Sequence, residues 1–380
     1  MDKYKRFLLR TTMGAWGGQT IIKDALGQNI ASELDIDYQE FNPVVVFVNG
    51  EYWGVQTIRD RIDKRYIAYT HNIDKDSVEF KEYGNVAYEN LMDFIENNSL
   101  EYSDNYNYVT TQIDLGNYID YTIAELFLKN YDWPVNNMKL WRQLPDGKWR
   151  WILYDLDAGF GGENYNMFLH ATANDSSITW PNPPESTFLF RNLLQNESFK
   201  FEFIDRYAEI LNTDFGVERM VNKLDSIKDI YGPEVPGHID RWHYPNSLNA
   251  WDADIANDLL SFLQKRPCVV REQIMSFFEL TSFDFECETK LDEHSGLGQF
   301  VLAPNPNNGR FFLLNTGEHI ANATITIISA NGQEVYKESG VDIMTNERKY
   351  FDVSGLPKNI YLLRVVSNNF SEQKKMIKIN

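Results

Sequence analysis

Cysteine is nearly missing from this chain: 380 residues hold two, Cys268 and Cys287, and neither sits in a zinc-binding or redox spacing. They can form one bridge or none. Histidine is sparse too, with six. His71, His170, His294 and His319 stand alone, and His238 with His243 is a pair too loose for a zinc site. No G-x-S-x-G turn occurs, so a Ser-His-Asp hydrolase is unsupported. No apolar run reaches the roughly eighteen residues that a membrane helix needs, so no transmembrane segment is expected. Positive charge is also short, with 36 Lys and Arg against 55 Asp and Glu, a net charge of -19. Such a balance disfavours nucleic acid and anionic membranes as partners, because their phosphates are repelled. The basic start, Met1 to Arg6, has no adequate apolar stretch before Thr11, Thr12 and Gly14, so no signal peptide is read in this chain.

What is present is apolar enough to fold: 43% hydrophobic and 14% aromatic residues, in a length that accommodates two or three domains. The richest stretch runs from Asn130 to Asn137 and resumes from Trp151 to Gly162. It supplies one carboxylate (Asp132), an amide five residues on (Asn137) and a second carboxylate pair (Asp155, Asp157). A loop carboxylate can accept a proton from an incoming hydroxyl, and Asn and Asp oxygens are hard ligands for Mg²⁺, so the set suits phosphoryl transfer. Each Asp can equally cap a turn.

Taken in order, Tyr4 to Leu9 reads as a strand, Gly14, Gly17 and Gly18 as a loop, and Ile21 to Ala31 as a helix. Val44 to Val48 and Tyr52 to Ile58 read as a hairpin across Asn49-Gly50, followed by the charged turn Arg59, Asp60, Arg61, Asp63. From Asn85 to Asn117 helical pattern shows only in places, as at Leu91, Phe94 and Ile95, before a clear helix from Tyr118 to Leu128. Met138 to Trp141 and Trp149 to Tyr154 pair across Pro145-Asp146-Gly147, which brings Asn137 and Asp155 to the same side. Loops are expected from Gly162 to Pro184, then helices to Phe278, with Arg266-Pro267 opening the last segment. Two lobes meeting at a cleft are implied. Trp16, Trp133, Trp180, Trp242 and Trp251 are candidate exposed platforms, although Trp more often forms core or cleft wall.

These residues resemble a known family. Arg10, Asp24-Ala25-Leu26, Val48-Asn49-Gly50-Glu51-Tyr52-Trp53-Gly54-Val55, Asn130 to Asn137, Tyr154-Asp155-Leu156-Asp157 with Phe160-Gly161, and Arg266-Pro267 look like the spore-coat CotH kinase family over roughly residues 1 to 280. The resemblance implies an atypical, protein-kinase-like, α+β fold and an enzyme that uses ATP and Mg²⁺ (or Mn²⁺) to phosphorylate Ser or Thr of secreted or surface proteins. It makes Asp132 the residue that orients or deprotonates the acceptor. Asn137 and Asp155 become metal ligands, with Asp157 as the near alternative. Arg10 is the candidate cation on the α/β-phosphates and Asp24 its ion-pair partner. Arg59 could do the same phosphate work, and Asp60 stands where the family pattern leads one to expect Glu. The sequence starts where the resemblance puts the third strand of the smaller lobe, so the nucleotide-covering hairpin is expected either to lie upstream of Met1 in a longer gene or to be lost from a truncated domain. The competing expectation is a kinase fold without turnover, a surface binding or structural protein.

After a polar stretch (281–298) that reads as a linker, about seven short strands from Phe300 onward suggest a small all-β sandwich. Ala303-Pro304-Asn305-Pro306, the turn Asn331-Gly332-Gln333, Ser354-Gly355-Leu356 before Ile360-Tyr361, and a basic last strand resemble the type IX secretion C-terminal sorting domain. That resemblance implies the secretion machinery as a partner and a secreted or cell-surface location. The expected domains are therefore 1–280, kinase-like; 281–298, linker; and 299–380, sorting domain.

Overall fold

The computed structural model describes residues 6–11, 20–287, 299–303, 305, 307–329, 333–345, 347–367 and 370–378. The expected loop at Gly14, Gly17 and Gly18, Trp16, His294, most of the linker, Pro304, Pro306 and the Asn331-Gly332 turn lie outside them. The chain divides into two compact units, Met1–Cys287 and Glu288–Asn380.

The first unit opens with β1 (Phe7–Thr11), α1 (Lys23–Ala31), β2 (Asp37–Tyr38), β3 (Phe41–Val48) and β4 (Glu51–Asp60). Strands β1, β4 and β3 form an antiparallel sheet in that order. Its hairpin turns at Asn49 (φ 54°) and Gly50 (φ 85°), the left-handed pair that matches strand twist. There follow α2 (Lys64–Thr70), β5 (Val78–Lys81), α3 (Val86–Asn97), α4 (Ser103–Gln112) and α5 (Leu115–Phe127). The polar stretch after Asn85 is thus more helical than its pattern suggests. Asn85 caps α3 by accepting from Ala87 and Tyr88 N–H, and the Glu89 carboxylate in turn accepts the Asn85 backbone N–H.

Strands β6 (Lys139–Gln143) and β7 (Arg150–Leu153) form the second hairpin, in a sheet ordered β2, β7, β6, β5. A short helix, α6 (Met167–Ala171), interrupts the expected loop, with Asn166 as its cap. Then come α7 (Phe188–Leu193), α8 (Glu197–Asn212), α9 (Val217–Tyr231), α10 (Val235–Trp242), α11 (Leu248–Asp254), a π turn at Ile255–Leu260 and α12 (Ser261–Phe277). Arg266-Pro267 does not open a new segment but lies inside α12. An interior proline costs a helix a hydrogen bond, yet the buried Arg266 guanidinium anchors this turn by donating to the carbonyls of Leu126, Phe127, Glu163 and Tyr165. Tertiary bonding overrides local propensity here. Cys268 and Cys287 are bridged, tying α12 to the end of the unit. One continuous core runs from Ile21 to Ile274, with a smaller cluster around Ile67, Val78 and Trp141.

The second unit is all β: β8 (Phe300–Ala303), β9 (Arg310–Asn315), β10 (Ile320–Ser329), β11 (Glu334–Ile343), β12 (Arg348–Asp352), β13 (Asn359–Ser367) and β14 (Phe370–Lys378). A sheet ordered β11, β10, β13, β14 faces another ordered β12, β9, β8. Their inner residues, among them Ile325, Leu363 and Met376 from one and Phe311, Leu313 and Phe351 from the other, share one core. The chain is therefore α+β, with an all-β second unit.

Candidate active site

The site grows from two sheet registers. In the first sheet Leu8 lies opposite Arg59 and Arg10 opposite Thr57, so Arg10 and Arg59 share a face. Both reach Asp24 on α1: Arg59 Nη2 stands 2.6 Å from Asp24 Oδ2, with both side chains buried, and Arg10 Nη1 stands 3.7 Å away. Arg59, not Arg10, is the closer partner. Asp24 Oδ1 accepts the Leu156 N–H at 2.9 Å and the Gln28 amide at 3.3 Å. Burial opposes the charge on Asp24, yet Arg59, Arg10 and these donors hold its pKa below the ordinary carboxylate value.

In the second sheet Lys139 lies opposite Ile152. Continuing that register would put Asn137 opposite Tyr154, next to Asp155, whose carbonyl accepts the Asn137 amide at 3.3 Å and the Asn130 amide at 3.4 Å. Asn137 and Asp155 both sit at φ 60°, a left-handed conformation that costs a non-glycine residue about 1 kcal/mol or more and is typical of functional sites. The Asp155 and Asp157 carboxylates meet on one Arg10 nitrogen, Nη2, at 2.6 and 2.7 Å. Burial opposes the Arg10 charge, but Asp24, Asp157 and Asp155 together raise its pKa. The loop carrying Asp132 folds on itself, with Trp133 N–H on the Asn130 carbonyl and Asn136 N–H on the Asp132 carbonyl. Burial and the nearby Asp155 charge lift the Asp132 carboxyl above its usual value. Asp157 is also lifted, by burial first and by Asp24 and Asp155, against the pull of Arg10.

Arg10 and Asp155 line a cleft of about 630 Å³, together with Gln39, Arg61, Lys64, Phe80, Lys139 and Tyr154. Four cations, Arg10, Arg61, Lys64 and Lys139, face three acids, Asp63, Glu82 and Asp155. For a chain with net charge -19 that is a local reversal of sign, suited to an anionic ligand. Lys139 escaped the sequence reading although strand alternation puts it on the same side as Asn137.

Asp60 is not brought to this cleft. It follows Arg59 in a strand, so its side chain takes the other face, where it lines a separate pocket of about 90 Å³ with Asp37, Glu40 and Tyr66. Burial and Glu40 push its carboxyl up to about 6. The aromatic platform also fails in part, because Trp133 and Trp251 are buried and Trp180 and Trp242 half-buried. Another group, Glu125, lies fully buried beneath the Asp132 loop. Burial lifts its carboxyl to about 8, helped by the Asp155 charge; Asn130 and Tyr121 face it and pull the other way without closing a hydrogen bond of ordinary geometry.

A largely helical unit with two small sheets and a cleft lined by acids and guanidinium groups makes the first unit an α+β protein. CotH kinase protein is the family that matches residues 2–83 and 69–270. That is more than half of the chain, and the chain belongs to that family. Residues 301–380 match the secretion system C-terminal sorting domain, which implies involvement of the type IX secretion machinery and a secreted or cell-surface protein. No helix among the described residues is long and apolar enough to cross a membrane. No curated protein matches the chain.

Proposed function

We propose that the first unit is a Mg²⁺-dependent phosphotransferase that moves the γ-phosphoryl group of ATP onto a serine or threonine hydroxyl of an extracellular or surface protein. The observation that carries this reading is the meeting of the Asp155 and Asp157 carboxylates on Arg10, with the Asn137 amide on the Asp155 carbonyl, where Arg10 and Asp155 line a cationic cleft. Their donors are hard oxygens, the kind Mg²⁺ takes. Three carboxylates, Asp24, Asp155 and Asp157, crowd two guanidinium groups, Arg10 and Arg59, and burial, with the neighbouring Asp155 charge, raises the pKa of Asp132 and Asp157. Among the described residues no three His, Cys, Asp or Glu side chains are placed to hold a metal ion together. An ion that takes much of its shell from water and phosphate does not need three of them.

Asn137, Asp155 and Asp157 would hold the ion, which when bound offsets the charge on the phosphate oxygens. Arg10, aided by Lys139, Arg61 and Lys64, holds the phosphates in the cleft. Asp132 takes the proton of the acceptor hydroxyl as its oxygen bonds to the γ-phosphorus, while the bridging bond breaks and ADP leaves with the electron pair. Raising the Asp132 pKa moves it toward the range of a working base.

A second reading, a surface protein without turnover, is favoured by the hold of Arg10 on both Asp155 and Asp157. Incubation with Mg²⁺ and γ-labelled ATP separates the two. The first reading expects label on protein, reduced about a hundredfold or more in Asp132→Asn, the scale of general-base catalysis. Absence of label from the parent under conditions where it binds nucleotide would leave the second reading.

A further inference from the structure

A second cavity opens on the far side of the Asp132 loop. It has about 410 Å³, within the range of side-chain and small-ligand sites. Its walls include Met92 of α3, Trp133, Pro134 and Met138 of the loop, and Phe188 and Leu189 of α7. One buried donor at this cavity, Trp133 Nε1, has no hydrogen-bond partner among the described residues. An indole N–H buried without a partner is destabilising, so an acceptor at this position is favoured. Three exposed carboxylates, Asp93, Glu96 and Glu185, also line it, and none forms an ion pair among the described residues.

We infer that this cavity anchors the acceptor protein, taking one bulky apolar side chain next to a lysine or arginine while a backbone carbonyl accepts from Trp133 Nε1. The apolar walls define the anchor, the unpaired carboxylates define its cationic neighbour, and the orphaned N–H calls for the carbonyl. Position supports the assignment. Trp133 and Pro134 directly follow Asp132, and an extended peptide advances about 3.3–3.6 Å per residue, so a hydroxyl at Asp132 and an anchor here fit within one short segment. The inference rests on the phosphotransferase reading for its acceptor, but its test does not require turnover.

The probe is a panel of short fluorescent peptides, each with one serine. Phenylalanine or alanine stands at each flanking position in turn, with lysine or glutamate beside it, and binding is read by anisotropy without nucleotide. At one spacing phenylalanine with lysine is expected to bind about tenfold tighter than alanine, the effect of burying one aromatic ring. Met92→Trp, which fills the cavity, erases that difference, and Glu96→Lys reverses the lysine preference. A melting midpoint matching the parent shows that each variant is folded. Equal binding of all peptides, or discrimination unchanged in both variants, overturns the inference. Label transfer to peptides without such discrimination also overturns it, whereas discrimination without transfer counts against the phosphotransferase reading alone.

Discussion

Glu125 shows how a single buried group sets a pH dependence. Fully buried and lifted to about 8, it binds a proton in the folded chain that the unfolded chain releases near the ordinary value of 4.5. Between those two values the folded state carries more protons, so stability falls as pH rises through that window and levels off above it. The loss is on the order of 3–5 kcal/mol. Glu125→Gln removes the titration, so urea midpoints of parent and variant are expected to diverge between about pH 5 and pH 8.5, with the variant the steadier. Parallel profiles would contradict the assignment. Nothing in the local sequence marks Glu125, since a carboxylate in a helix reads as a solvated residue. The approach of Asn137 to Asp155 was legible because the hairpin between them was. Arg59 was only half legible, because its buried contact with Asp24 depends on packing between a sheet and a helix remote in sequence.

Helix α1 acts as a clamp on the acidic loop. Asp24 accepts the Leu156 N–H between the two site carboxylates, and a Cβ added at Gly27 would meet Leu156 Cδ1 at 2.5 Å and Leu156 Cβ at 3.2 Å. Alanine there would gain about 1 kcal/mol of helix propensity, but overpacking against a fully buried leucine costs about 1–3 kcal/mol. Gly27→Ala is therefore expected to lower unfolding stability and weaken Mg²⁺–ATP binding together; a variant more stable than the parent would rule the clamp out. Elements with strong local signals were readable: the Asn49-Gly50 hairpin, α5, the β6–β7 hairpin and the alternating strands of the second unit. Helices α3 and α4 were only partly so, because polar and aromatic residues blur their period and the Asn85 cap supplies what the pattern lacks. Continuation of α12 through Pro267 was not readable, since four distant carbonyls hold its turn.

At the scale of the whole chain, each unit has its own apolar core. A secretion signal carried on an independent β-sandwich leaves the rest of the protein free to fold on its own terms. Deleting residues 299–380 is expected to leave the unfolding midpoint of the first unit unchanged by calorimetry, and loss of its cooperative transition would contradict that independence. The Cys268–Cys287 bridge belongs to the first unit and is the kind of crosslink that persists outside the cell. The central claim is that Asn137, Asp155 and Asp157 share one divalent ion beside Arg10, the proposed phosphate-binding cation. Titration calorimetry of ATP into the full chain, with and without Mg²⁺, tests it most directly. Shared ligation predicts binding that depends on Mg²⁺ and weakens at least about tenfold in Asp155→Asn, the loss of a charged ligand. Binding that ignores Mg²⁺, or an Asp155→Asn chain that binds as the parent does, would contradict it.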